Sequence, residues 1–89
     1  MINPFLNVIG SLMKTIKRAV KILGSQTNLA KALSVRGDQI FKWINHIYFP
    51  SIQTALKIEE VTGGQVKAID ILNEKMQIKL NKMERRVKE

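Results

Sequence analysis

Apolar residues recur at helical spacing along nearly the whole chain, and no stretch alternates apolar and polar for more than a few residues. Leu12, Ile16, Val20 and Leu23 fall four, four and three apart, with Met13 and Ala19 beside them. That stripe predicts a helix over roughly residues 5–23, stopped by Gly24, which tolerates a left-handed backbone. Ser25 can cap a second helix, Gln26 to Leu33, whose inner side is Leu29, Ala30 and Leu33. After a break at Ser34-Val35-Arg36, a third helix is predicted over about 37–45, burying Ile40, Trp43 and Ile44 with Gly37 as its cap. Residues 46–50 read as a loop with apolar anchors. Ser51 caps a fourth helix to about Thr62, with Ile52, Ala55, Leu56, Ile58 and Val61 as apolar contacts, and Gly63-Gly64 ends it.

Asp70 is the expected cap of a last helix reaching about Arg86. Its apolar series 69-73-76-80-83-87 steps by four, three, four, three and four, with polar Asn73 at one position. This is the spacing of a two-helix seam. It spans roughly two and a half heptads, and a helix folding back on its own domain explains it about as well. The expected architecture is therefore all-α: a bundle of about five helices with a C-terminal helical extension. Residues 1–72 form the main domain, with an N-terminal helical extension. Residues 73–89 form a C-terminal helix for dimerisation or packing.

Composition narrows the function classes. The chain has 89 residues, enough for one small domain. It has no cysteine and a single histidine, His46, so thiol chemistry and cysteine-ligated zinc are excluded. Seven scattered acids offer no paired catalytic site, so an enzyme is the least favoured class, and no catalytic residue, metal or cofactor is expected. Fifteen basic residues give a net charge of +8. The first 57 residues carry +7 of it, with Asp38 as their one acid. Such asymmetry points to a polyanion-binding surface. No apolar run approaches the roughly 18–20 residues of a spanning helix. The N-terminus lacks the basic start and apolar run of a signal peptide, so the cytoplasm is the expected compartment.

Residues 26–45 follow the logic of a helix-turn-helix. Leu29 and Leu33 face inward, Ala30 lets two helix axes approach, Val35 plugs the turn, and Ile40 and Trp43 pack the next helix. The segment resembles the helix-turn-helix of phage Cro and repressor proteins, which have the lambda-repressor-like fold. The run from Gly24 to Leu33, followed by Ile58-Glu59-Glu60-Val61-Thr62-Gly63-Gly64, resembles more narrowly the YdaS-type Cro-like antitoxins. The resemblance covers about residues 16–72. The chain departs from it at Ser34, where glycine usually stands, at Arg36-Gly37, where serine or threonine opens the third helix, and at Asn45-His46, where a glycine often follows. A left-handed Ser34 costs about 1 kcal/mol.

The resemblance implies that the third helix enters the DNA major groove. Carried over by position, the base readers are Arg36, Asp38, Gln39, Phe41 and Lys42, and the phosphate holders are Gln26, Thr27 and Asn45. Arg36 and Lys42 suit guanine, Gln39 adenine, Asp38 the cytosine amine and Phe41 a thymine methyl. Lys31, with Lys14, Lys17 and Lys21, adds positive charge for the phosphates. Two of these assignments have a plainer rival. Asp38 suits the N-terminal charge of its own helix, Phe41 a core or dimer contact, and Trp43 the core. His46 reads as a loop residue near the DNA backbone. Glu59 and Glu60 read as solvated. The basic series 75, 79, 82, 85, 86 and 88 reads as a solvated face or as extra phosphate contacts.

The expected function is thus a sequence-specific DNA-binding regulator, Cro-like repressor or antitoxin autorepressor, of phage or toxin–antitoxin type. Its expected partners are a double-stranded operator and a second copy of the chain, joined through the tail seam or the N-terminal extension. The rival reading is an antitoxin or adaptor acting by protein–protein contact, with a toxin as partner. A membrane-surface role for residues 1–23 is the third reading, and the regular packing stripe argues against it.

Overall fold

The computed structural model describes residues 13–88, with side chains as far as Met83. Among these residues five helices follow one another: α1 (Lys14–Leu23), α2 (Gln26–Leu33), α3 (Gly37–Ile44), α4 (Ile52–Val61) and α5 (Ala68–Lys88). No strand occurs among the described residues, and the expected all-α bundle is what the chain forms.

Within the described residues the predicted helix over 5–23 begins at Lys14. Met13 has ψ 100° and stands outside the helix as its extended cap residue. Leu12 and the expected N-terminal extension lie outside the described residues. The buried stripe of α1 is Ile16 and Ala19, continued by Met13 at its cap, while Val20 and Leu23 pack at its margin. Met13 also donates its amide to the Ile44 carbonyl at 3.2 Å, which ties the start of α1 to the end of α3. Inward from α2 and α3 come Leu29, Ala30, Leu33, Ile40, Trp43 and Ile44, as their spacing predicts. Ala55 and Ile58 of α4, Val66, and Ala68, Ile71 and Ile78 of α5 complete the core. Each large apolar side chain so buried contributes roughly 1.5–3 kcal/mol.

Three helices end the same way. In α2, Val35 donates its amide to Ala30 at 2.9 Å and Ser34 to Lys31 at 3.2 Å. The same paired bonds run from Ile47 to Lys42 and His46 to Trp43 after α3, and from Gly64 to Glu59 and Gly63 to Glu60 after α4. This is the Schellman closure, which needs one left-handed residue. Those residues are Ser34 (φ 58°), His46 (φ 62°) and Gly63 (φ 64°).

Two helix beginnings are capped from elsewhere in the chain. The Glu74 carboxylate accepts the amides of Lys14 at 2.8 Å and Thr15 at 3.1 Å, together with the Thr15 hydroxyl at 2.5 Å. Glu59 accepts the amide of Ala68 at 2.8 Å. Four amides at each helix start have no partner in their own helix, and a carboxylate there also meets the positive end of the helix dipole. The second of these bonds corrects the sequence reading. The last helix opens at Ala68 with Glu59 holding its first amide, so Asp70 lies inside its first turn rather than at its cap. Glu59 is half-buried and engaged, not solvated. Likewise the N-cap of α3 is Arg36, not Gly37. In the 46–50 loop only Phe49 and Pro50 anchor, because Ile47 and Tyr48 are more than half exposed. Ile52 and Leu56 of α4 also face out.

Candidate nucleic-acid interface

Ser25 opens α2 as expected: its hydroxyl accepts the Asn28 amide at 3.0 Å. Gln26 and Thr27 therefore occupy the exposed first turn, where free amides and the dipole favour an anion. Lys31 is exposed farther along the same helix. The Schellman turn at Ser34 then delivers the chain into α3, whose inner side is locked by Ile40, Trp43 and Ile44. Packing through those three turns Arg36, Asp38, Phe41 and Lys42 away from the core.

Three of the expected base readers are joined. Asp38 Oδ1 lies 3.2 Å from Arg36 Nε, and Asp38 Oδ2 lies 3.5 Å from Lys42 Nζ. The Arg36 side chain is 86% exposed, Asp38 46% and Lys42 34%. Ion pairs this wet are worth about 0–1 kcal/mol, so a phosphate or a base edge can exchange for either half of them. The Asp38 carboxylate also sits in the first turn of α3, the position its dipole favours. Phe41 is 54% exposed, so the core reading of it fails. Gln39 is half-buried beside them. Asn45 uses its side-chain amide on the Phe41 carbonyl at 2.8 Å, closing the end of α3.

Two participants escape a reading of the sequence. The Lys42 ammonium lies 5.4 Å from the centre of the Tyr48 ring, an exposed residue beyond the helix. That contact exists because the left-handed His46 folds the chain back, bringing the Tyr48 amide to the Lys42 carbonyl at 3.4 Å. Only the absence of a glycine after α3 hints at it. Lys57 of α4 is the other, its ammonium on the Leu33 carbonyl at 3.4 Å near the turn. His46 itself stacks on Phe49 with ring centres 6.1 Å apart.

Among the described residues no group of three or more histidine, aspartate or glutamate side chains is placed to hold a metal ion. No helix there is long and apolar enough to cross a membrane.

Five helices around one core, with two short helices joined by a tight turn and the second presenting a charged outer side, define a small helix-turn-helix-like bundle. The family model described as bacterial toxin YdaS matches residues 16–76, and the chain belongs to that family. No curated protein and no solved structure matches it. The family's description names a toxin, whereas the resemblance seen in the sequence was to antitoxins; the match carries the family and not that choice of role.

Proposed function

We propose that the protein is a sequence-specific DNA-binding transcription regulator that reads the major groove with α3. Family membership supports the coarser statement, a regulator or antitoxin. The observation that carries the finer one is the outer side of α3. Arg36 and Lys42 stand there on a rigid, buried-backed helix in a chain of net charge +8. In this reading Arg36, Lys42 and Gln39 contact base edges, with Phe41 against a thymine methyl. Gln26, Thr27, Asn45 and Lys31 hold phosphates and fix the register. Asp38 has two roles open to it. It accepts from a cytosine amine, or it poses Arg36 and Lys42 until DNA displaces it. Its two ion pairs favour the second. The protein acts in the cytoplasm on a duplex operator, with no catalysis and no membrane.

The test is fluorescence anisotropy on the DNA upstream of the gene against a scrambled duplex, over a salt series. Wild type is compared with the Arg36→Ala, Lys42→Ala double variant. Each lost base contact is worth about 1–3 kcal/mol, so the double variant is expected to bind the native site at least tenfold more weakly and to lose its preference. Equal, steeply salt-sensitive binding to both duplexes reduces the surface to a phosphate binder. No binding at low salt rejects the DNA reading in favour of action as a toxin or antitoxin through protein contact.

A further inference from the structure

Helix α5 is apolar on two opposite sides. Ile71 and Ile78, seven residues apart, are buried against the bundle, and Glu74 between them caps α1. On the far side Ile69, Met76, Leu80 and Met83 are each 45–61% exposed. A helix lying on a small domain has a polar outer side when water is all it meets. Beside these residues, Ile52 of α4 and Leu72 help wall an open groove of about 460 Å3.

We propose that this outer side of α5 is the interface with a second copy of the chain, the two α5 helices running parallel and in register. Written as heptads, Asn73 and Leu80 take position a, and Ile69, Met76 and Met83 take d. Ile71 and Ile78 then both fall at f, the position farthest from the seam, and f is the side the bundle covers. The same helix therefore docks on its own domain and keeps its seam clear.

Charge chooses the occupant and its direction. In a parallel pair, Lys79 at g faces position 84 at e of the partner helix, which is a glutamate in the sequence. An antiparallel pair sets Lys79 against its own copy and position 70, an aspartate, against that glutamate. The parallel pair gains two attractions where the antiparallel pair gains only repulsions. A lone asparagine at an a position is also a register device of parallel pairs, bonding to its twin across the seam. The Lys79 ammonium lies 5.6 Å from the Phe49 ring centre, and Lys79 lines the groove beside Met76, Leu80 and Met83.

The interface does not depend on the DNA reading, and its test uses no DNA. Sedimentation equilibrium of the full chain is expected to show a reversible dimer. Leu80→Asp removes an apolar side chain from each copy and adds a charge, and is expected to weaken association more than roughly hundredfold. Circular dichroism should stay unchanged, because Leu80 does not reach the core. Met76→Asp serves the same purpose if that variant folds poorly. Direction is read by Asn73→Cys in a chain with no other cysteine. Parallel pairing puts the two thiols side by side, and oxidation is expected to link them. An antiparallel seam separates them by roughly 15 Å along the axis, beyond disulfide reach. A chain that stays monomeric overturns the proposal. So does a dimer indifferent to Leu80→Asp, a dimer that Asn73→Cys does not cross-link, or a cross-link that forms equally fast with Leu80→Asp present.

Discussion

The α2–α3 unit and α5 spend their apolar residues differently. In α2 and α3 nearly every large apolar side chain points inward, and the outer side is polar or charged, with Phe41 as the exception. In α5 the apolar residues divide between two opposite sides, one covered by the bundle and one open. The first unit is complete within one chain. The second has more apolar surface than its own domain covers. Helical spacing reports that a side is apolar; it does not report what covers it.

The largest effect that tests this contrast lies within α5 itself. Ile71→Ala empties a fully buried site and is expected to lower the unfolding free energy by about 2–5 kcal/mol. Ile69→Ala, two residues away on the open side, should change the stability of the monomer by less than about 0.5 kcal/mol. Urea titration of both variants, at concentrations where the chain is monomeric, decides it. Equal losses would mean that Ile69 is covered within the chain and that the two sides of α5 do not differ.

A smaller effect compares acids at helix starts. Glu74 holds two amides and a hydroxyl of α1 from across the bundle, whereas Asp38 lies in the first turn of its own helix and meets only exposed cations. Glu74→Ala is expected to cost about 1–2 kcal/mol, with faster hydrogen exchange at the Lys14 and Thr15 amides. Asp38→Ala should cost less than about 0.5 kcal/mol. Thermal unfolding ranks the two, and the reverse order would show that the Glu74 contact holds nothing in place.

These pairs also mark how far the sequence could be read. The limits of α2, its Ser25 cap and its inner side are legible because each is set by residues within a few positions of one another. The same holds for Ile40, Trp43 and Ile44, and for Lys42 one turn beyond Asp38. Glu74 and Thr15 stand 59 positions apart, so no local pattern could reveal that contact. The opening of α5 at Ala68 is not legible either, since Glu59 reaches it from the preceding helix. In the candidate site, the residues turned outward from α3 are legible from the helix period. The tie between Lys42 and Tyr48 is not, because it depends on His46 adopting a left-handed backbone.

The smallest effect belongs to the turn that makes the α2–α3 unit. Ser34 and Gly63 close two helices through the same pair of bonds at nearly the same φ, 58° and 64°. One carries a side chain and the other does not. A left-handed residue with a Cβ costs about 1–2 kcal/mol, and glycine gives back about 0.5–1 kcal/mol through the freedom of its unfolded chain. Ser34→Gly is therefore expected to raise the unfolding free energy by about 0.5–1 kcal/mol. Gly63→Ser should lower it by a similar amount, because a Cβ at Gly63 meets nothing within 4 Å and only the backbone opposes it. Paired denaturant curves with unchanged slopes measure both. If Ser34→Gly destabilises while Gly63→Ser behaves as expected, the serine side chain makes a favourable contact at the turn. Serine at the turn between α2 and α3 would then be a stabilising feature of this chain rather than a tolerated strain.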